Sequence, residues 1–304
     1  MNSKSENLEL IFRKLKISDY YKFKKLFYSC FKKNISYKFY KWRYFGDKFS
    51  FCYGAFHSSK LIANVGMKSI TLNNTINDKI FSRHSSMVLK KYRGRGVFSK
   101  LLEIVKKDLN KNIKIVLMWP NKNNFANFGI SKKRTIKKKY FLYKAFSRKK
   151  NPKKTFDYNI KKLNKFKNFI QKKDSFLFKN FDYFKRRYLS YNHTEYLINK
   201  FDLKKSSSFF ILKKNKNKFG TNLVVLDHFG SDHIETNHLS QLISEERKVI
   251  FWSKKKINRN NYSLINQINL NIGFIKKTNL RKKDLILIDK KFMPGDTDSF
   301  ITIK

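Results

Sequence analysis

Two cysteines, three prolines and ten glycines are all that 304 residues contain of these types. Cys30 and Cys52 are too few for a disulfide framework or a zinc cage. No apolar run approaches the ~20 residues that a bilayer-crossing helix needs; the longest is Ile115–Trp119. The N-terminal segment is polar and carries Glu6 and Glu9, which is wrong for a secretory signal. These absences predict a soluble, cytoplasmic protein. Acidic residues are also scarce: 21 against 70 basic ones, a net charge of +49. An anionic membrane surface or a nucleic acid would suit that charge. Only 12 of the basic residues are Arg, however, and phosphate and base readout favour Arg's planar fork, which argues against nucleic acid. The excess of Lys, Asn, Ile, Phe and Tyr also matches what A/T-rich codons encode. Charge alone therefore speaks to solubility and non-specific association.

What is present is a core. Hydrophobic residues make up 41% of the chain, with 31 Phe and 16 Tyr, which excludes wholesale disorder. The length suits one large domain or two ordinary ones. Leu10–Arg13 reads as a strand. Ser18-Asp19 offers an N-cap to a helix over Tyr20–Phe31, where Phe23, Leu26, Phe27 and Cys30 recur at helical spacing. Phe49–Phe56, Leu61–Leu72 and Asp78–Leu89 predict an antiparallel meander. Val97–Leu109 reads as a helix burying Val97, Leu101, Ile104 and Val105. Ile113–Trp119 is a strand of the doubly buried type. A short helical segment to about Lys132 and a strand over Thr135–Phe146 come next. Lys149–Lys154, with Pro152 and four lysines, reads as a linker that few contacts cross.

The second half repeats this grammar. Helices are expected over Asn159–Lys172 and Asn237–Glu246. Strands are expected over Glu195–Phe201, Ser208–Lys213, Leu223–His228, Val249–Trp252 and Leu285–Asp289. Phe39-Tyr40-Lys41-Trp42-Arg43-Tyr44 is echoed by Tyr183-Phe184-Lys185-Arg186-Arg187-Tyr188, which suggests a duplication. The division predicted is residues 1–148, a linker at 149–157, and a second, degenerate half at 158–304.

The segment that carries chemistry is Met87-Val88-Leu89-Lys90-Lys91-Tyr92-Arg93-Gly94-Arg95-Gly96-Val97. A strand ends, two glycines succeed it, and a helix begins at once. Gly94 and Gly96 let main-chain N–H groups approach a ligand with no Cβ in the way. The helix N-terminus adds unpaired donors and positive partial charge. Lys91, Arg93 and Arg95 bring cations to the same place. This is the construction of a pyrophosphate cradle. A dinucleotide fingerprint would need Gly or Ala where Ser99 stands and an acidic residue after the next strand; a Walker loop would need Gly-Lys-Ser/Thr.

At these residues the sequence resembles the GNAT acyltransferases, whose cradle is Gln/Arg-x-x-Gly-x-Gly/Ala; here Lys91 replaces the usual first residue. Pro120-Asn121-Lys122-Asn123-Asn124 is similar to a Pro-Asn-x-Asn segment of a subgroup associated with surface-polysaccharide biosynthesis. Trp42-Arg43-Tyr44 and Gly295-Asp296-Thr297-Asp298 also resemble that subgroup. The resemblance implies a mixed, mainly antiparallel α/β sheet flanked by helices, and acyl transfer from acetyl-CoA, as co-substrate, to a primary amine. The amine would be a small molecule or a glycan precursor such as an amino sugar. Met87, Val88, Leu89, Val97, Asn121 and Asn124 join the cradle as implied CoA contacts, and no metal is implied. Many family members place a Tyr where Phe128 stands, as general acid for the thiolate; Phe128 cannot fill that role. His84 is the candidate base by its ordinary pKa, with a water held by Ser85 or Ser86 as the alternative. The rival reading is a non-catalytic basic binding protein. Asp227-His228, Asp232-His233, Glu235 and His238 invite a metal, but their spacing fits no zinc signature. Asp296 and Asp298 suit a turn or a cationic substrate.

Overall fold

The computed structural model describes residues 9–46, 50–69, 79–109, 113–118, 135–147, 158–159, 185–189, 196–203, 206–217, 220–229, 232–245, 248–253, 256–258 and 260–274. The expectations for Asn121, Asn124, Phe128, residues 149–157 and Gly295–Asp298 lie outside these residues, as do the strand over 285–289 and all but the first residue of the helix expected over Asn159–Lys172; that residue, Asn159, is in a strand instead.

Strand β1 (Leu10–Lys14) leads through a 3-10 turn into helix α1 (Tyr20–Phe31). Asp19 does not cap α1. Its carboxylate accepts the Lys16 N–H at 2.8 Å and both guanidinium nitrogens of Arg13 at 2.7 and 2.8 Å, closing the 3-10 turn instead. The aromatic-basic stretch at 37–45 is helix α2 (Tyr37–Phe45), with Ser36 accepting the Phe39 N–H at 3.1 Å as N-cap. The meander is β2 (Phe51–His57), β3 (Lys60–Ser69) and β4 (Lys79–Val88). Helix α3 (Val97–Leu109) and strand β5 (Ile113–Met118) continue it, and β5 runs parallel to β4. Helices α1 and α2 cover one face of this sheet, packing Phe23, Leu26, Tyr40 and Tyr44 against Cys52, Phe56, Leu61 and Met87. Helix α3 covers the other, with Val97, Leu101, Leu102 and Val105 against Ile62, Val65, Met67 and Phe81. Burying an aromatic or Leu side chain on such a face contributes roughly 1.5–3 kcal/mol.

After β6 (Thr135–Phe146) and β7 (Tyr158–Asn159), a helical turn at Lys185–Leu189 precedes β8 (Tyr196–Leu203), β9 (Ser206–Asn217), β10 (Gly220–Phe229), helix α4 (Asp232–Glu245), β11 (Lys248–Ser253) and β12 (Tyr262–Phe274). The strands of the described residues follow the order of the first half, including a parallel β10–β11 pair across a helix. All twelve strands of the described residues join one sheet in the order β1-β2-β3-β4-β5-β12-β6-β11-β10-β9-β8-β7. The order is symmetric about its centre, with the last strands exchanged. β12 lies against β5 of the first half, and β6 lies against β11 of the second. Tyr143 and Ala145 of β6 accordingly pack in the core of the second half, with Leu242 and Ile243 of α4. The expectation that few contacts cross the 149–157 boundary is corrected by this exchange. No described helix is long and apolar enough to cross a membrane.

Candidate functional site

The site is built on the second half of β4 and the turn into α3. The parallel pairing of β4 with β5 ends at Ser82↔Leu117 among the described residues, while β4 runs six residues further to Val88. On its other edge, β4 carries a bulge: the β3 register jumps from Gly66↔His84 to Asn64↔Met87, so Ser85 and Ser86 together oppose Val65. Ser85 sits at φ 49°, in the left-handed region that a residue with a Cβ rarely occupies. That backbone costs about 1–3 kcal/mol and persists only where its surroundings over-determine it. They do so here. Tyr44 donates its hydroxyl to Ser85 Oγ at 2.6 Å, and Asn64 Nδ2 donates to the Ser85 carbonyl at 2.9 Å. Asn64 is in turn held through Oδ1 by the Cys52 thiol, and all but Ser85 are buried. Burial pushes the Tyr44 hydroxyl and the Cys52 thiol above their ordinary values, so both stay protonated as donors.

Beyond the bulge, the Leu89 N–H donates to the Ile62 carbonyl at 2.9 Å. By antiparallel alternation the Val88 N–H then turns to the opposite edge, away from β3. Of the three main-chain donors expected from Met87 to Leu89, that of Leu89 is thus committed to the sheet, and Val88's faces away from it. A 3-10 turn over Lys90–Tyr92 comes next. It is pinned by the buried Tyr92, whose hydroxyl meets His57 Nδ1 at 2.9 Å, and by Arg93 Nε donating to the Val88 carbonyl at 3.0 Å. Gly94 and Gly96 adopt φ 77° and 71°, and a Cβ built on either meets no atom within 4 Å. The glycines are required by backbone conformation and they front open space. The Lys100 N–H bonds the Gly96 carbonyl at 3.0 Å, so α3 begins at the second glycine. Lys91, Arg93 and Arg95 are exposed around this entrance, and Val97 is buried beneath it. The arrangement suits a diphosphate: open main-chain donors, a helix N-terminus and three exposed cations.

His84 lies on the α2 face of the sheet, 8% exposed. Arg43 Nε donates to its Nδ1 at 3.4 Å, and the Tyr44 ring stands 5.2 Å from its own. Burial, and then the positive charges of Arg43, Lys68 and Arg187, hold its pKa well below the usual value. The premise that an ordinary imidazole pKa suits His84 to take the amine's proton does not describe this environment, in which the ring is a weaker proton acceptor than an ordinary imidazole. Ser86, half-buried beside Ser85, keeps the alternative of a held water open to the solvent side. The residues that sequence reasoning passed over are Asn64 and Gly66 on β3. A Cβ on Gly66 would lie 2.5 Å from His84 Cε1, so only glycine fits opposite that ring.

In the second half, Tyr188 donates to Asp227 Oδ2 at 3.0 Å, beside a β10 bulge between Val225 and Asp227. This is the counterpart of Tyr44 on Ser85. The Asp227 carboxylate also accepts the His228 N–H at 2.9 Å. His238 on α4 bonds Asn199, and burial lowers its pKa to about 3. Among the described residues, no three His, Cys, Asp or Glu side chains gather as a metal site.

No family model matches the chain, and no curated protein does. Solved structures do. A GCN5-related N-acetyltransferase from Anabaena variabilis is 10% identical over 88% of this chain and 73% of its own, with a TM-score of 0.62. A conserved protein from Enterococcus faecalis is 10% identical over 93% and 75%, also at 0.62. A GCN5-related N-acetyltransferase from Kribbella flavida is 10% identical over 87% and 70%, at 0.57. The fold is that of the GCN5-related N-acetyltransferases: the mixed, mainly antiparallel α/β sheet flanked by helices that the sequence predicts.

Proposed function

We propose that this chain, with the fold of a GCN5-related N-acetyltransferase, transfers an acyl group, most simply acetyl, from CoA to a primary amine. The observation that carries the reading is the entrance to α3: two left-handed glycines fronting open space, ringed by Lys91, Arg93 and Arg95. The pyrophosphate would lie on the Gly94–Val97 main chain. The pantetheine arm would run along the β4 edge that the β5 pairing leaves at Ser82, where the Val88 N–H is available. The amine attacks the thioester carbonyl; a C–N bond forms, the C–S bond breaks, and the amine's proton is lost as the thiolate leaves. No covalent enzyme intermediate is required, because holding both substrates together supplies much of the rate. In this proposal a water on Ser85 and Ser86 takes the proton, and neutral His84 positions the bulge that holds them. The second half has Gly230-Ser231-Asp232 where the first has its basic cradle, which supports a single CoA site per chain. The acceptor proposed is a small amine of the amino-sugar class, used in surface-glycan assembly in the cytoplasm.

The test is calorimetry with acetyl-CoA on the chain and on the double variant Gly94→Ala/Gly96→Ala. Saturable one-to-one binding, lost in the folded double variant, is expected. Association that merely fades with ionic strength, alike in both proteins, would leave a basic binding protein in its place.

A further inference from the structure

Helices α1 and α2 bury one side against the sheet and present the other to solvent. The outward side of α1 repeats Tyr21, Lys25 and Tyr28 at i, i+4 and i+7, all exposed, while Phe23 and Leu26 face the sheet. Tyr21 is 73% exposed, Tyr28 51%, and Phe31 at the end of the helix 43%. Tyr37, which opens α2, is 45% exposed. These rings are not scattered. The half-buried Tyr20 ring has Tyr21 at 5.1 Å and Tyr37 at 5.3 Å, so the aromatic surface continues from α1 to α2. Lys32 Nζ lies 5.7 Å from the Tyr28 ring centroid, which brings a cation among them. From Tyr20 to Gly46 the chain has seven lysines and Arg43 but no carboxylate. Arg43 is buried, so every exposed cation of this stretch is lysine. Among the described residues, none of Lys24, Lys25, Lys33, Lys38 and Lys41 forms an ion pair.

We infer that the outer face of α1 and α2 docks on the surface of a bilayer rich in anionic phospholipid. Lysine stems lie along apolar surface while their ammonium groups reach lipid phosphates, and tyrosine rings rest at the headgroup level. A face that interleaves the two meets both demands at once. Each lysine near such a surface strengthens partitioning about fivefold. RNA is the weaker match. Its readers track phosphates along a groove and favour Arg's planar fork, whereas these are helix faces turned outward with lysine alone. A second copy of this chain would carry the same positive face and be repelled by it. The docking helix also touches the β4 edge, where the Cys30 thiol donates to the Val88 carbonyl at 3.7 Å. A membrane at α1 would thus stand one helix away from the edge proposed above for pantetheine, although the docking does not rest on that assignment.

The test measures co-sedimentation of the full chain with vesicles in about 150 mM chloride, which screens diffuse attraction. Vesicles containing phosphatidylserine should bind it roughly tenfold or more tightly than vesicles of phosphatidylcholine alone. Two variants locate the face. Tyr21→Ser/Tyr28→Ser leaves the net charge unchanged and should weaken binding roughly tenfold. Lys25→Gln/Lys38→Gln/Lys41→Gln should weaken it by about tenfold or more. The control Lys60→Gln/Lys100→Gln/Lys107→Gln removes as many exposed lysines from the β2–β3 turn and from α3, on the opposite face of the sheet. It should weaken binding less than about threefold, its charges lying beyond a screening length from the lipid. Either face variant carries the test if the other does not fold. Equal binding to both vesicles, an equal loss in the control, or full binding by the aromatic variant would overturn the docking face. So would tighter binding of polyuridylate than of anionic vesicles, lost in the same variants, which would give the face to RNA.

Discussion

Gly66→Ala places a methyl group 2.5 Å from His84 Cε1, 2.8 Å from His84 Nδ1 and 2.9 Å from Tyr44 Cε1. Carbon atoms pack at about 3.5–4.0 Å, so roughly 1 Å must be found. Neither neighbour yields cheaply. Tyr44 is fully buried and tied to Ser85 at 2.6 Å, and His84 is bonded to Arg43. Overpacking a core costs about 1–3 kcal/mol, and two fixed rings place this case at about 3. For a chain of this size that lowers the midpoint of thermal unfolding by roughly 5–10 °C. Most of the overlap is with the imidazole. In a His84→Ala background the same methyl should therefore cost about 1 kcal/mol, a coupling of about 2 kcal/mol in the double-mutant cycle. Thermal unfolding monitored by circular dichroism on the four proteins measures it. Additive effects, or a Gly66→Ala cost below about 0.5 kcal/mol, would refute the packing of His84 and Tyr44 around this glycine. Because the displaced rings hold the β4 bulge, Gly66→Ala should also depress acyl transfer while leaving acetyl-CoA affinity near wild type.

His84→Ala should lower turnover at least tenfold through the lost bulge geometry, with the acetyl-CoA dissociation constant changed by no more than about twofold. The pH profile should keep its shape, since a neutral His84 contributes no inflection near its ordinary value; an inflection near pH 6.5 that vanishes in the variant would restore His84 as the base. Arg13 holds the Asp19 carboxyl below its ordinary value, so this pair's contribution is present above the unfolded-state pKa of about 3.9 and is lost as pH falls through the lower folded value. Asp19→Asn should cost about 1–2 kcal/mol at pH 7, discounted for the solvent at Arg13, and progressively less as pH falls through the folded-state value; a cost that does not change with pH would remove the ion pair from the account. Residues 1–150 expressed alone lack β12 as the partner of β5 and should bind acetyl-CoA only after residues 151–304 are added. A monomeric fragment that binds unaided would show the exchange to be dispensable.

The turn into α3 was legible because everything in it is local: a strand end, two glycines and the first turn of α3 are consecutive in sequence, and the helix spans Val97–Leu109 as read. Strand β12 escaped notice despite a readable signal. Ile268, Leu270, Ile272 and Phe274 alternate with Asn269, Asn271 and Gly273, but residues of low β-propensity fill the alternate positions. The lowered basicity of His84 could not be foreseen, because burial sets it first, and then the charges of Arg43, Lys68 and Arg187, all distant in sequence. Strand exchange was likewise invisible, since a period of two says which face a residue takes and nothing about which strand lies beside it.

That exchange has a consequence on the ribosome. Residues 271–274, which close the open edge of β5, emerge about 150 residues after it, a delay of about 8–30 s at ordinary elongation rates. Throughout that interval an apolar strand with a bare edge is displayed, the kind of surface that recruits wrong partners. The nearest wrong partner is β6, which emerges soon after β5 and in the finished protein lies one place further along the sheet. A nascent chain that lets β6 settle against β5 builds a closed first half with no place for β12 and no β6 for β11. Biogenesis therefore turns on keeping β6 away from its own half until the last strand arrives.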